Sequence, residues 1–290
     1  MRVCLQSMLP LFIGLAMFLT PADSQAKEKT DAKISVQLYS VRNDMKKDFE
    51  GTLKRIADMG FDGVEFAGYF DYADKPKELK ALLDKLGLEA AATHLRAGAF
   101  TEKELQKTID FHKAIDCRLL IIPVDWRFAK DMDSNKKFSD FLNEVNTALK
   151  PHDLFTGYHN HAKEFSETPT QSTWWDVFAN NTDQRIILQN DVGWTWKAGK
   201  DAAAYISKYP GRATTVHLKP KVYDKENKEL KPFIGENGKD WEAVIKACLN
   251  DGGTQWLSVE QEDYPDGLSP LECVERSYKG LKKIMKEMGY

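Results

Sequence analysis

His159, Asp191, His217 and Glu260 are the residues of this 290-residue chain whose types best suit a chemical task. Two imidazoles and two carboxylates form a donor set that suits a divalent zinc, manganese or cobalt ion. The four lie tens of positions apart and make no local ligand motif, so only a fold that gathers distant segments could unite them. By residue type alone they read equally well as hydrogen-bonding groups lining a sugar pocket. His161 stands two residues beyond His159, and on an extended segment that spacing puts both on one face. Either is then a candidate ligand, the other a contact to the ligand or to a bound molecule.

Short apolar runs precede these residues and several others like them. Gln37 closes ISVQ, Glu65 stands in DGVEFA, His94 follows AAAT, Lys219 follows VHL, and Glu262 lies two beyond Glu260. Four of the six histidines, His94, His159, His161 and His217, occupy such ends, while His112 and His152 fall on a helix and a helix–loop boundary. Glu65 and His94 come from neighbouring early runs and are expected to complete a pocket wall. A buried carboxylate there needs a partner to stay charged. The plainer reading is an ordinary polar pair at the mouth of the fold. Trp126, Trp194 and Trp196 also follow run ends, and their flat faces suit either a sugar ring or packing beneath a loop. Arg42, directly after the first run, suits an anionic or hydroxylated substrate, or a surface ion pair.

The elements that must position these residues alternate from Ile34 onward. Expected strands are 34–39, 62–67, 88–95, 118–124, 154–161, 185–192, 213–219 and 255–262. Amphipathic helices lie between them. Phe49, Leu53, Ile56 and Ala57 recur at helical spacing in the first, Leu79, Leu82, Leu83 and Leu86 in the second, and Leu105, Ile109 and His112 in the third. Later helices are expected at 137–149, 172–179, 201–208, 240–250 and 270–287. Eight strand–helix units of this size predict a single α/β domain, a (β/α)8 TIM barrel, whose active site forms at the carboxyl ends of the strands. An open doubly wound sheet is the competitor, but the turn after its first strand usually carries a Gly-rich phosphate loop, and QLYSVRND has no glycine.

Composition bounds the partners. With 42% hydrophobic and 29% charged residues the chain is an ordinary globular one, which excludes intrinsic disorder. A formal charge of -3 with no basic block argues against a nucleic-acid partner. Arg2, the apolar run from Met8 to Leu19 and the small-residue site ending at Ala26 predict a cleaved signal peptide over 1–26, with a barrel domain over 27–290. The run is too short to span a bilayer, so no membrane association is expected after cleavage. Cys117, Cys248 and Cys273 are then an odd, widely spaced set expected to be buried as small apolar residues rather than paired.

At these residues the chain resembles the sugar phosphate isomerase/epimerase family of xylose isomerase-like TIM barrels, related to the endonuclease IV fold. The resemblance spans nearly all of 27–290 and rests on VQLYSVR (36–42), TLKRIADMGFDGVEFAG (52–68), the His94 run end, GYHNHAKEF (157–165), NDVGW (190–194), the Gly199 to Asp201 turn, GRATTVHLK (211–219) and VEQED (259–263). It implies one divalent metal, manganese, zinc or cobalt, held by His159, Asp191, His217 and Glu260. Two departures stand out. Related epimerases usually carry glutamate where this chain has His159 and use it with the strand-eight glutamate as a pair of bases. Many relatives read HLKD where Pro220 follows Lys219 here.

The function this implies is a periplasmic or secreted, metal-dependent sugar isomerase or lyase that removes a proton beside a carbonyl, on a sugar or a 3-keto-glycoside. Glu260 or His161 is the expected base, Lys219 shares the developing enediolate charge, and Glu65, His94 and Trp194 are expected to bind substrate. Epimerisation ranks lower because the His159 departure leaves one carboxylate where two-base enzymes keep a pair. A carbohydrate-binding barrel without turnover and an endonuclease IV-like phosphodiesterase are the alternatives from other classes. The expected partner is a small molecule, with homo-oligomer formation open.

Overall fold

Short Val-, Ile- and Leu-rich runs that are buried on both faces build parallel strands, because helices cover one side of the sheet and the barrel interior the other. The computed structural model of the protein describes residues 32–224 and 226–290. Its strands are β1 (Lys33–Gln37), β2 (Gly63–Phe66), β3 (Glu89–His94), β4 (Leu119–Ile122), β5 (Phe155–His159), β6 (Ile187–Gln189), β7 (Thr215–Leu218) and β8 (Trp256–Val259). The helices are α1 (Arg42–Lys47), α2 (Phe49–Met59), α3 (Pro76–Leu86), α4 (Glu102–Ala114), α5 (Met132–Leu149), α6 (Trp174–Asn181), α7 (Val192–Lys197), α8 (Ala202–Lys208), α9 (Trp241–Ala247) and α10 (Pro270–Glu287).

All strand pairings are parallel, and β1 pairs with both β2 and β8. The circle closes between β6 and β7 through the Asp191–His217 bridge, with Leu188 N donating to Arg212 O at 2.7 Å and His217 N to Asn190 O at 2.9 Å. The result is the (β/α)8 barrel expected from the alternation. Strands are shorter than the apolar runs suggest, with Asp191, Lys219 and Glu260 lying just beyond β6, β7 and β8 and still buried. Helices α1 and α7 are not legible as periodic stretches: each has six residues, too few to show a repeat.

Helix boundaries follow local chemistry. Asp131 caps α5 by accepting from Ser134 N at 2.7 Å, which starts that helix earlier than its apolar period suggests. In α10 the Ser269 and Glu272 side chains form a reciprocal capping box, and Leu271, Val274, Leu281 and Met285 face the core. The main apolar cluster lies between helices and strands, while Ala91, Ala92, Leu119, Ile121, Ile187 and Trp256 form a separate one. Trp256 and Ile187 precede Glu260 and Asp191 by even steps on one strand face, so the second cluster floors the barrel beneath the polar groups. Cys117, Cys248 and Cys273 are free and buried.

The β2–β3 register shifts between Val64 and Glu65, so that Glu65 pairs with Ala92 rather than Ala91. This bulge sets the face on which β3 delivers its last residue, and His94 joins Glu65 inside the barrel. The expected signal peptide lies outside the described residues. No helix among the described residues is long and apolar enough to cross a membrane.

Candidate metal and active site

Glu65 anchors the site from below. The residue has no exposed surface. Its Oε1 accepts from Gln37 Nε2 at 2.7 Å and lies 2.8 Å from Nε2 of both His217 and His94. Its Oε2 accepts from Gln189 Nε2 at 2.9 Å and from Thr215 Oγ1 at 3.4 Å. Burial alone would raise the carboxyl pKa, but His217 and then His94 outweigh it and hold Glu65 well below the ordinary carboxylate range.

Above it, the strand ends bring His159, Asp191, His217 and Glu260 together, all buried, with one donor atom from each within 4.8 Å of the others. His217 Nδ1 lies 2.8 Å from Glu260 Oε2. Asp191 caps α7: its Oδ1 accepts from Trp194 N at 2.9 Å, and its backbone N donates to Asn160 Oδ1 at 2.9 Å, which ties the ends of β5 and β6. Its Oδ2 is buried without a hydrogen bond, although Lys219 Nζ stands 3.2 Å away and His159 Nε2 3.9 Å. A carboxylate oxygen left so, among two imidazoles and a second carboxylate, is a donor set that fits a divalent ion. His94 forms a second such group with His159 and His217.

His159 rather than His161 belongs to both groups. The chain leaves the extended path after His159, and His161 N donates to Glu164 Oε2 at 2.9 Å, so the two rings meet edge to face at 5.1 Å. Burial pushes the His161 imidazole down to about 4, with Lys219 adding to the effect, and burial with the neighbouring His217 and His94 pushes His159 well below its usual value. Both rings are neutral at pH 7 and keep a lone pair for an ion or a proton.

Lys219 gathers the carboxylates. Its Nζ lies 3.2 Å from Asp191 Oδ2, 3.2 Å from Glu260 Oε1 and 2.9 Å from Glu262 Oε2. Burial works against the ammonium, but Asp191, Glu260 and Glu262 outweigh it and raise its pKa. Burial also works against ionised Glu260, where Lys219 and then His217 prevail and lower the pKa. At Asp191 burial wins, with the Glu260 charge adding to it against Lys219, and the carboxyl is pushed up to about 7. The Trp194 ring covers this group, 5.0 Å from Lys219 Nζ and 5.5 Å from the His161 ring.

Other sequence candidates divide. Trp196 on α7 packs edge-on against Trp241 on α9 at 5.0 Å, whereas Trp126 is 70% exposed on the loop after β4. Arg42 stacks on Tyr39 at 4.2 Å and donates to its carbonyl oxygen. Gln189 is not among the residues singled out by sequence, yet it links Glu65, His94 and His159 through bonds of 2.9, 2.8 and 3.2 Å. Its two-residue spacing from Asp191 is the signal that could have found it. A cavity of about 710 Å³ opens at the opposite end of the barrel, lined by Lys33, Glu89, Arg118, Phe155 and Trp256. It holds no imidazole, and its Lys33 and Glu89 pair with each other.

Comparison with known proteins agrees with this fold. The model of the xylose isomerase-like TIM barrel family matches residues 53–284. An inosose dehydratase of Lactiplantibacillus plantarum is 22% identical over 300 residues, covering 90% of this chain and 99% of the relative. The crystal structure of a sugar phosphate isomerase/epimerase from Parabacteroides distasonis superposes with a TM-score of 0.74 at 23% identity, covering 91% of this chain and 98% of that one. The IolI protein, solved with a bound zinc atom, superposes with a TM-score of 0.64 at 14% identity over 88% of this chain and 98% of its own. The family match spans most of the barrel, from α2 into α10, and takes in every strand end that carries the site except Gln37: this chain belongs to the xylose isomerase-like TIM barrel family.

Proposed function

We propose that the protein is a metal-dependent sugar isomerase or lyase that abstracts a proton beside a carbonyl. The observation that carries this is the buried His159–Asp191–His217–Glu260 group at the carboxyl ends of β5 to β8 with the Lys219 ammonium beside it. A divalent ion bound there, zinc, manganese or cobalt, supplies Lewis acidity next to an enediolate. Lys219, kept protonated by its three carboxylates, donates a hydrogen bond to the oxygen on which charge develops. Glu260, ionised at neutral pH, and neutral His161 are the groups able to take the carbon-bound proton. His94, with its side chain 13% exposed, and the face of Trp194 contact the sugar. Supporting this reading, one relative is a dehydratase and one structural neighbour holds zinc. Export through residues 1–26 belongs to the same proposal, and it favours a non-phosphorylated sugar or 3-keto-glycoside as substrate.

The test is incubation with a panel of aldoses, ketoses and 3-keto-glycosides in deuterated water, with and without chelator. Elimination releases an aglycone, isomerisation moves the carbonyl, and both stop when the metal is removed. Clean inversion at one labelled carbon would instead make the enzyme an epimerase. Turnover without any solvent-exchanged carbon proton would rule out the enolate route.

A further inference from the structure

We propose that Glu65 is a positioning residue for the metal centre, one that sets which ring nitrogen His217 and His159 present to the ion. The proposal rests on the metal reading above. A neutral imidazole has one N–H and one lone pair, and the acceptor facing one nitrogen decides that the other is the ligand. Both Glu65 oxygens accept from side-chain amides, Oε1 from Gln37 Nε2 and Oε2 from Gln189 Nε2, and Oε1 lies 2.8 Å from His217 Nε2. Each His217 nitrogen faces a carboxylate, so when the ring gives up one N–H to serve as a ligand, the proton facing Glu65 stays on Nε2 and the lone pair forms on Nδ1. Nδ1 is the atom 2.8 Å from Glu260 Oε2, another member of the ligand group.

The second ring is set through Gln189. Its Nε2 donates to Glu65 Oε2 at 2.9 Å, which fixes the amide with Oε1 turned to His159 Nδ1 at 3.2 Å and to His94 Nε2 at 2.8 Å. His159 then keeps its proton on Nδ1 and offers Nε2, the nitrogen 3.9 Å from the unbonded Oδ2 of Asp191. Glu65 itself is held by Gln37 on β1, Gln189 on β6 and Thr215 on β7, so its carboxylate is fixed from three strands besides its own. The ligand atoms are thus Nδ1 of His217 and Nε2 of His159, with Oδ2 of Asp191 and the Glu260 carboxylate.

The test loads the whole protein, labelled with nitrogen-15 at histidine, with cadmium-113 and reads cadmium–nitrogen couplings by NMR. Couplings to His217 Nδ1 and His159 Nε2 are expected. Couplings to the opposite nitrogens overturn the proposal alone, while failure to bind cadmium overturns the metal reading and the proposal with it. In Glu65→Gln an amide donor replaces an acceptor, and cobalt affinity is expected to fall roughly 10-fold or more with altered couplings. Glu65→Asp should recover part of that loss. A folded Glu65→Gln protein with wild-type affinity and unchanged couplings contradicts the assignment, and if the variant does not fold the couplings of the wild-type protein still decide.

Discussion

Gly193 approaches Lys219 so closely that a Cβ added to it would stand 2.6 Å from the Lys219 carbonyl oxygen and 2.9 Å from its Cβ. Gly193 is the second residue of α7, the helix capped by Asp191, so a single glycine lets the Asp191 cap and the Lys219 strand end share one wall of the site. Gly193→Ala must move backbone on one side or the other. A loss of about 1–3 kcal/mol in urea unfolding is expected, the usual size for forced overpacking. Turnover should fall further than that loss explains at temperatures where the variant is fully folded, since Lys219 is displaced from Asp191 and Glu260. An alanine variant with unchanged turnover would show that the close approach does not matter to the chemistry.

Metal content follows the buried group. Purified protein is expected to carry about one equivalent of divalent ion, in keeping with a single four-residue site. His217→Ala and Asp191→Ala should each empty it, because each removes a bond and the geometry of the remaining ligands. Elemental analysis beside a circular dichroism check of folding reads this directly. Full occupancy in both variants would mean that the ion binds elsewhere.

His112 makes stability depend on acid. It is buried on α4, with Tyr69 Oη at 2.9 Å from Nε2 and Nδ1 donating to Thr108 O at 2.6 Å, and burial pushes its pKa down to about 4. Unfolded, the ring titrates near 6.5, so between about 6.5 and 4 the unfolded chain binds a proton that the folded one does not. Stability is complete above 6.5, falls as the pH drops through this window, and loses nothing more from His112 below 4. The loss is up to roughly 3 kcal/mol, since each tenfold difference in proton affinity between the folded and unfolded ring is worth about 1.4 kcal/mol. Urea unfolding at pH 7 and pH 4.5 should show it, with a smaller difference in His112→Gln.

Export is checked at the amino terminus. Mass spectrometry of protein recovered from outside the producing cytoplasm should place the first residue near Lys27. An intact Met1 on that protein would contradict cleavage after Ala26.

Strand and helix order is legible from the sequence alone because burial on both faces demands continuous apolar runs such as LLII in β4, and one-sided burial demands the 3.6-residue period of α2 and α10. In a parallel barrel the ends of all such runs meet at one face, so the residue types at those ends also point to His159, Asp191, His217 and Glu260 as one group. Other decisions are tertiary. The bulge between β2 and β3 turns His94 inward beside Glu65, and register between strands depends on pairing partners that spacing within either strand does not encode. His159 rather than His161 sits in the buried group because the chain leaves the extended path after β5, where His161 N donates to Glu164 Oε2. Gln189 becomes the link between two imidazoles only when β6 faces β2 across the barrel, a contact between residues 124 positions apart. A chain specifies locally which elements form and which residues end them. The nitrogen each histidine presents depends on acceptors brought from across the barrel.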